Sequence, residues 1–193
     1  MIKIIDLGYE VPTTGEPRIS LVEDTLLKTA SNDIQEYWAK LDKSPDKAYL
    51  HVIAMSDSEY YGPNNNGDFF YGEDLAEYHP TFISNAHVFL HHVNKDPQKS
   101  IGKPIYSWYN PNMKRVELIL ELDKNSTLAK DTITKIKRGD QIYVSMGVSV
   151  QYDVCSICQN KAKTRQQYCS HLRYNMKKIL PDGRQVYAIN PAP

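Results

Sequence analysis

The sequence has few cysteines, and their placement restricts where the protein can work. Only three of the 193 residues are cysteines, and all lie between Cys155 and Cys169. A secreted disulfide framework uses an even number of cysteines spread along the chain. We therefore expect a reducing compartment and a local role for these thiols.

Net charge and long apolar runs are absent as well. The 23 Lys and Arg residues balance 23 Asp and Glu residues, so no global electrostatic attraction to nucleic acid or membrane is expected. No apolar run approaches the roughly 20 residues of a membrane span. The start, "MIKIIDLGYEVP", lacks the basic-then-apolar layout of a signal peptide. A soluble protein that stays where it is made is the expectation.

Short alternating segments are present instead, and they indicate an α+β fold. Strands are predicted at 1–7, 46–56, 87–93, 100–110, 115–123, 141–153 and 180–189. Helices are predicted over 20–43, from about Gly72, and over Ser126–Arg138. Alternation along 115–123 predicts that Glu117 and Glu121 face water. So many short strands favour a small, mainly antiparallel β-barrel or closed sheet with helices packed outside.

Three cysteines and a histidine form the motif C-x2-C-x10-C-x-H, namely Cys155, Cys158, Cys169 and His171. Two thiolates three positions apart, followed by a second pair after a short loop, make a closed tetrahedral shell for Zn²⁺. A closed shell leaves no position for substrate water, so the predicted zinc is structural and disfavours a catalytic zinc hydrolase.

Basic residues surround this motif, and no acidic residue occurs from Cys155 to Leu180. Such a patch can bind phosphates, but it can equally offset the negative charge of three thiolates. Both interpretations stay open. The basic residues are Lys161, Lys163, Arg165, Arg173, Lys177 and Lys178.

A serine and three histidines form the second candidate group. Ser145 and Ser149 are four positions apart in one predicted strand and therefore share a side. The predicted strand 87–93 carries His87, His91 and His92. A serine and an imidazole on neighbouring strands are the minimum for nucleophilic acyl transfer. The alternative is a hydrogen-bonded filler serine with surface histidines.

Several motifs in a fixed order carry a family resemblance. They are "NNNGDFF", "NAHVFLHHVNKDPQKSIGK", "RVELILELD" and "GDQIYVSMGVSV". In this order the chain from about Asp46 to Pro193 resembles the prohead (capsid maturation) serine proteases of tailed bacteriophages, which are relatives of the herpesvirus assemblins. The resemblance implies an assemblin-like β-barrel surrounded by helices. The Cys3His loop after the serine strand is similar to an insert in some of these phage enzymes.

The resemblance also assigns roles. It implies that Ser145 is the nucleophile and His92 the general base, with His91 as the alternative because a one-residue slip changes the face. Backbone amides of Met146 and Gly147 are the oxyanion candidates.

A third, orienting residue is expected on a later strand. No residue before Pro193 matches it well, so it is expected beyond that position, with Asp153 and Asp140 as poorer fits.

The predicted function follows from that family. It is a serine endopeptidase that cleaves phage scaffold or core protein, the major capsid protein and itself, inside the assembling prohead in the host cytoplasm. Homo-oligomers are compatible with this role. Residues 46–193 form the predicted protease domain with its zinc-binding insert at 155–171, and residues 1–45 form an N-terminal strand and helix extension or a propeptide.

The alternative function is non-enzymatic. It is a zinc-stapled phage structural or nucleic-acid-binding module in which the serine and the histidines are incidental.

Overall fold

A computed structural model describes residues 3–7, 19–21, 30–90, 96–138, 140 and 144–191, and for residues 3–7 and 19–21 it describes the backbone alone. The strands are β1 Lys3–Leu7, β2 Ile19–Leu21, β3 Lys47–Ser56, β4 Asp68–Phe69, β5 Ala86–Leu90, β6 Gly102–Asn110, β7 Arg115–Asp123, β8 Val144–Val148, β9 Asp153–Cys155, β10 Lys161–Ala162 and β11 Ala188–Ile189. The helices are α1 Asn32–Lys40, α2 Ser58–Tyr61, α3 Gly72–Tyr78, α4 Thr81–Asn85, α5 Thr127–Lys137 and α6 Ser170–Asn175.

The larger sheet contains seven of these strands in the order β2-β3-β7-β6-β5-β1-β8. Its neighbours are antiparallel except β1 and β5, which run parallel. The hairpin of β6 and β7 is joined by a short turn in which Lys114 has a positive φ of 50°. The predicted strands at 46–56, 100–110 and 115–123 are confirmed.

The two faces of this sheet differ in what they pack against. On β7, Leu118, Leu120 and Leu122 are fully buried in the main core, and we call their side the inner face. Met146 on β8 packs against the same core. The sheet therefore curls into a half-barrel around one apolar centre. The finer prediction of a closed barrel wrapped by helices is not confirmed.

The opposite, outer face carries Glu117, Ile119 and Glu121 of β7. Helix α1 covers part of it, because Ile34 and Trp38 pack with Ile119 in a second apolar cluster. Ser31 caps α1 by accepting a hydrogen bond from the Ile34 N–H at 3.3 Å.

One predicted solvent-facing carboxylate is in fact fully buried. Glu117 has no exposed surface and accepts hydrogen bonds from Arg115 Nε at 2.8 Å, Asn110 Nδ2 at 2.9 Å and the Ser31 N–H at 3.0 Å. His51 Nε2 completes the set at 3.2 Å. The prediction that Glu117 faces water was wrong because the alternation of β7 does not reveal α1 above it.

The predicted helix over 20–43 was too long. Ile19–Leu21 pair with β3 as strand β2, and α1 begins only after the Ser31 cap. Strand β1 pairs with β5 on one side and β8 on the other. Residues before 46 thus supply strands to the large sheet, and the domain boundary at 45/46 stays a prediction.

A second sheet has four short strands in the order β10-β9-β11-β4. It connects the chain after β8 to the segment "NNNGDFF", which contains β4. β11 pairs in parallel with β4 and places Ala188 opposite Asp68. Its own core is small and consists of Cys155, Leu172, Val186 and Ala188. We call residues 153–190 the Cys/His module.

Candidate metal centre and serine strand

The four predicted metal ligands come together in the Cys/His module. One ligand atom from each of Cys155, Cys158, Cys169 and His171 lies within 4.8 Å of the other three. The Cys169 Sγ and His171 Nδ1 atoms are 4.0 Å apart. A single ion can therefore contact all four atoms.

Local structure explains how a short segment presents these side chains. Cys155 ends β9, and the following turn closes with Gln159 in the left-handed region at φ 60°. Within that turn the Ile157 N–H donates to Cys155 Sγ at 3.4 Å. Cys169 is the N-cap residue of α6, so His171 lies in the first turn of that helix.

The thiols have unequal proton affinities. Burial raises the pKa of Cys155 to about 11. Burial also acts to raise the pKa of Cys169, but the Leu172 N–H and the neighbouring thiols outweigh it and lower that pKa below its usual value. Three sulfur donors and one imidazole are a donor set typical of tetrahedral zinc. The group is a possible metal site consistent with zinc.

A partly buried chain of hydrogen bonds connects this site to β4. The Tyr168 hydroxyl donates to Asp153 Oδ2 at 2.5 Å, and Asn190 Nδ2 donates to Asp153 Oδ1 at 2.6 Å. The Phe69 N–H donates to Asn190 Oδ1 at 3.2 Å. Burial and the hydrogen bond to Asp153 raise the pKa of Tyr168. Asp153 thus has structural partners on both carboxylate oxygens.

Ser145 is the second residue of β8 and lies on the outer face of the large sheet. Its neighbours Val144 and Met146 pack against the inner core, so alternation turns Ser145 the other way. Its side chain is half-buried. The register pairs Ser145 with Asp6, and Asp6 in turn with Phe89.

His87 is the described histidine of the predicted strand 87–93. It shares the outer face with Phe89 and is paired with Ile4, which is paired with Gly147. β1 therefore separates β5 from β8, and two strand spacings make about 10 Å between their backbones. His87 is also one row further along than Ser145. His91 and His92 lie outside the described residues.

Asp140, like Asp153, has a structural partner among the described residues. Asp140 receives a hydrogen bond from Arg138 Nη2 at 2.7 Å. A serine–imidazole contact occurs elsewhere, between Ser107 Oγ and His79 Nδ1 at 2.9 Å, but the Ser107 hydroxyl donates to the His79 carbonyl. These two hydrogen bonds connect β6 to the turn after α3, so we assign the pair a structural role.

The pairing of Asp6 with Ser145 was not predicted from the sequence. The signal would have required the pairing of β1 with β8, which no local pattern in "MIKIIDL" specifies.

A groove of about 380 Å³ borders His87 on the outer face. Its lining includes Gly102, Lys103 and Glu121, with the ion pair of Lys47 and Asp123 at 3.7 Å. The glycine of the "IGK" motif is required by the close approach of β7. A Cβ atom on residue 102 would overlap the Glu121 carbonyl oxygen, so only glycine fits.

Comparisons with known proteins give no family. No protein-family model, curated protein or solved structure matches this chain. Among the described residues, no helix is both long and apolar enough to cross a bilayer.

Proposed function

We propose that this chain is a serine endopeptidase with Ser145 as its nucleophile and a histidine from the segment after β5 as its general base. The main support is that Ser145 lies on the outer face of the curled sheet and that only β1 separates its strand from β5, the strand directly before His91 and His92 in the sequence. His92 is the preferred base and His91 the alternative. Neither assignment depends on His87, which is one row away from Ser145.

The reaction would follow the usual course of acyl transfer. The imidazole takes the proton of the Ser145 hydroxyl while Oγ attacks the scissile carbonyl carbon, and it then gives that proton to the leaving amine. Water, deprotonated by the same imidazole, hydrolyses the acyl-enzyme and releases the second peptide. The products are two peptides and the unchanged enzyme.

The backbone of β8 supports a place for the developing oxyanion. β8 is the last strand of the large sheet within the described part of the chain. Successive N–H groups of a strand point to opposite edges, so every second N–H group of β8 has no ladder partner among the described residues. Met146 and Gly147 are the oxyanion candidates, and of their two N–H groups the proposed donor is the one that points to this edge. Gly147 adds no side chain that would keep a substrate carbonyl away.

The proposed metal is a structural Zn²⁺ held by Cys155, Cys158, Cys169 and His171. Cys155, the first of these ligands, is ten positions after Ser145 in the sequence. When bound, the ion would close the turn that follows β9, and it would thereby anchor the chain segment that comes after the nucleophile strand β8. It takes no part in bond making, because four protein ligands complete a tetrahedral shell.

The family resemblance extends the proposal to substrates and place. The substrates are phage scaffold or core protein, the major capsid protein and the chain itself, cleaved inside the assembling prohead. The assemblin-like closed barrel belongs to the same proposal, and the curled half-barrel is the coarser feature that supports it.

Labelling with a serine-directed fluorophosphonate tests the nucleophile without knowledge of the substrate. We expect the probe to label Ser145, as identified by peptide mass spectrometry, and Ser145→Ala to abolish labelling and self-cleavage. The matched control is Ser149→Ala, which removes an exposed hydroxyl directly after the end of β8. Cleavage that persists in Ser145→Ala, or is lost equally in Ser149→Ala, contradicts the proposal.

Parallel substitutions His87→Ala, His91→Ala and His92→Ala identify the base. We expect either His91→Ala or His92→Ala to reduce the rate of self-cleavage at least about a thousandfold. His87→Ala should leave most of that rate intact. Full activity in all three variants would exclude a serine–histidine mechanism.

A further inference from the structure

The Cys/His module concentrates positive charge in a neutral chain. Residues 155–180 hold six of the 23 basic residues and none of the 23 acidic ones. The remainder of the chain, with 17 basic residues against 23 acidic, carries a formal charge of −6. The two parts therefore differ strongly in charge, although the whole chain is neutral.

None of these six basic side chains forms an ion pair within the described part of the chain. Arg173, Lys177 and Lys178 donate to backbone carbonyls of Gln166, Asn65 and Tyr174, respectively. Their charges are thus held in place but not neutralised.

The metal ligands do not account for this charge. Three thiolates, one neutral imidazole and a divalent ion leave a single negative charge. Six basic side chains exceed that by five. Offsetting the thiolates therefore explains only a small part of the patch.

A depression of about 570 Å³ lies beside two of these lysines. Lys161 and Lys163 flank Ala162, which is fully buried, so both lysines extend from the solvent side of the edge strand β10. The Lys161 ammonium lies 4.9 Å from the centroid of the Tyr152 ring. The lining comprises Tyr152, Asn160, Lys161, Lys163 and Gln167.

Hydrogen bonds fix the floor of this depression in advance of any ligand. The Lys163 N–H donates to Gln167 Oε1 at 2.8 Å, and Asn160 Nδ2 donates to the Gln167 carbonyl at 3.1 Å. A ligand would therefore meet a preformed surface with a small entropic cost of ordering.

We propose that this face of the Cys/His module binds single-stranded nucleic acid. Lys161 and Lys163 contact phosphates, and a base stacks at Tyr152. Basic residues interleaved with an aromatic ring are typical of single-strand binding, in which stacking is independent of sequence. An acidic peptide would use the lysines but gain nothing comparable from the ring.

Fluorescence anisotropy with a labelled 20-nucleotide oligo(dT) and the full zinc-loaded chain tests this proposal. We expect binding, and we expect the logarithm of the association constant to fall linearly with the logarithm of the NaCl concentration. Lys161→Gln with Lys163→Gln should weaken binding at least about tenfold and reduce the salt slope by about 1.4, which corresponds to two phosphate contacts. Tyr152→Leu should weaken binding about fivefold or more with the slope unchanged.

The matched control is Lys130→Gln with Lys137→Gln on α5, which removes the same charge from two exposed lysines elsewhere. It should bind like the parent, and all variants should retain zinc content and melting temperature. Absence of binding at low salt, equal loss in both double variants, or equal competition by polyglutamate of the same charge overturns the proposal. Ser145→Ala should bind unchanged, so this result is independent of the protease proposal.

Discussion

The large sheet and the Cys/His module use different sources of stability. The inner face of the large sheet buries a continuous apolar cluster, in which Leu118, Leu120 and Leu122 are fully buried. Each such side chain stabilises the folded state by about 1.5–3 kcal/mol. The module has only five buried apolar side chains, and one of them is the proposed ligand Cys155. The large sheet can fold by burial of apolar side chains, whereas the Cys/His module is expected to need metal–ligand bonds as well.

The polar groups of the two regions differ in the same way. In the large sheet, Glu117 is fully buried and held by charged and neutral donors from β3, β6, β7 and the start of α1. In the module, Asp153 is half-buried and joins Tyr168 to Asn190. One network lies beneath α1 on the outer face of the large sheet, and the other supports a small sheet around the candidate metal site. Their removal should therefore have different consequences.

The largest expected effect is that of metal removal. Chelation should unfold the Cys/His module while the seven-stranded sheet stays folded, because structural zinc contributes about 10–16 kcal/mol in small zinc domains. Hydrogen exchange followed by mass spectrometry should show lost protection across residues 153–190 and retained protection in β3, β6 and β7.

Cys169→Ser should reproduce this pattern without a chelator. Ser170→Ala changes an exposed neighbour outside the ligand set and should leave protection unchanged. If the large sheet lost protection together with the module, or if the module kept it without metal, the two regions would not differ as described.

The second effect concerns Glu117. Glu117→Gln should destabilise the large sheet by about 3–5 kcal/mol, because it removes a fully buried carboxylate that pairs with Arg115 and accepts a hydrogen bond from Asn110. Urea unfolding measures this change. Glu121→Gln is the matched control on the same strand and face, and it should change stability by no more than about 0.5 kcal/mol. Equal effects of the two substitutions would contradict a special role for the buried network.

The pH dependence of stability provides a separate measurement of the same network. Burial alone would raise the pKa of Glu117, but hydrogen bonds from His51, Ser31, Asn110 and Arg115 outweigh it and lower the pKa from 4.5 to about 2. A lowered folded-state pKa stabilises the protein above pH 4.5, and this contribution is lost as pH falls toward 2. Glu117→Gln should lack this part of the pH dependence.

Sequence reasoning succeeded where the relevant partners are close along the chain. Cys155 and Cys158 share one turn, and Cys169 and His171 share a helix start, so their spacing alone predicts a common site. The strand at 115–123 was equally clear from its period of two. In both cases the sequence itself carries the geometric constraint.

It failed where distant segments decide the outcome. Glu117 is buried because the Ser31 N–H, 86 positions away, donates to it. Ile19–Leu21 form a strand because β3 offers a free edge, although leucine spacing there also fits a helix. The pairing of Asp6 with Ser145 depends on β1 entering the sheet between β5 and β8, and no local pattern specifies that.

The smallest expected effect lies in the bracing of the module. Tyr168→Phe should destabilise it by about 1–2 kcal/mol, because Asp153 Oδ2 loses its hydroxyl donor while Asn190 still holds the other oxygen. Chelator competition measures the change as a loss of apparent zinc affinity of about five- to thirtyfold. Tyr174→Phe removes a hydroxyl from the 66 % exposed ring of Tyr174 and should have no effect. An effect of Tyr168→Phe on the urea midpoint of the large sheet, rather than on zinc affinity, would mean that the bracing reaches beyond the module through Asn190 and Phe69.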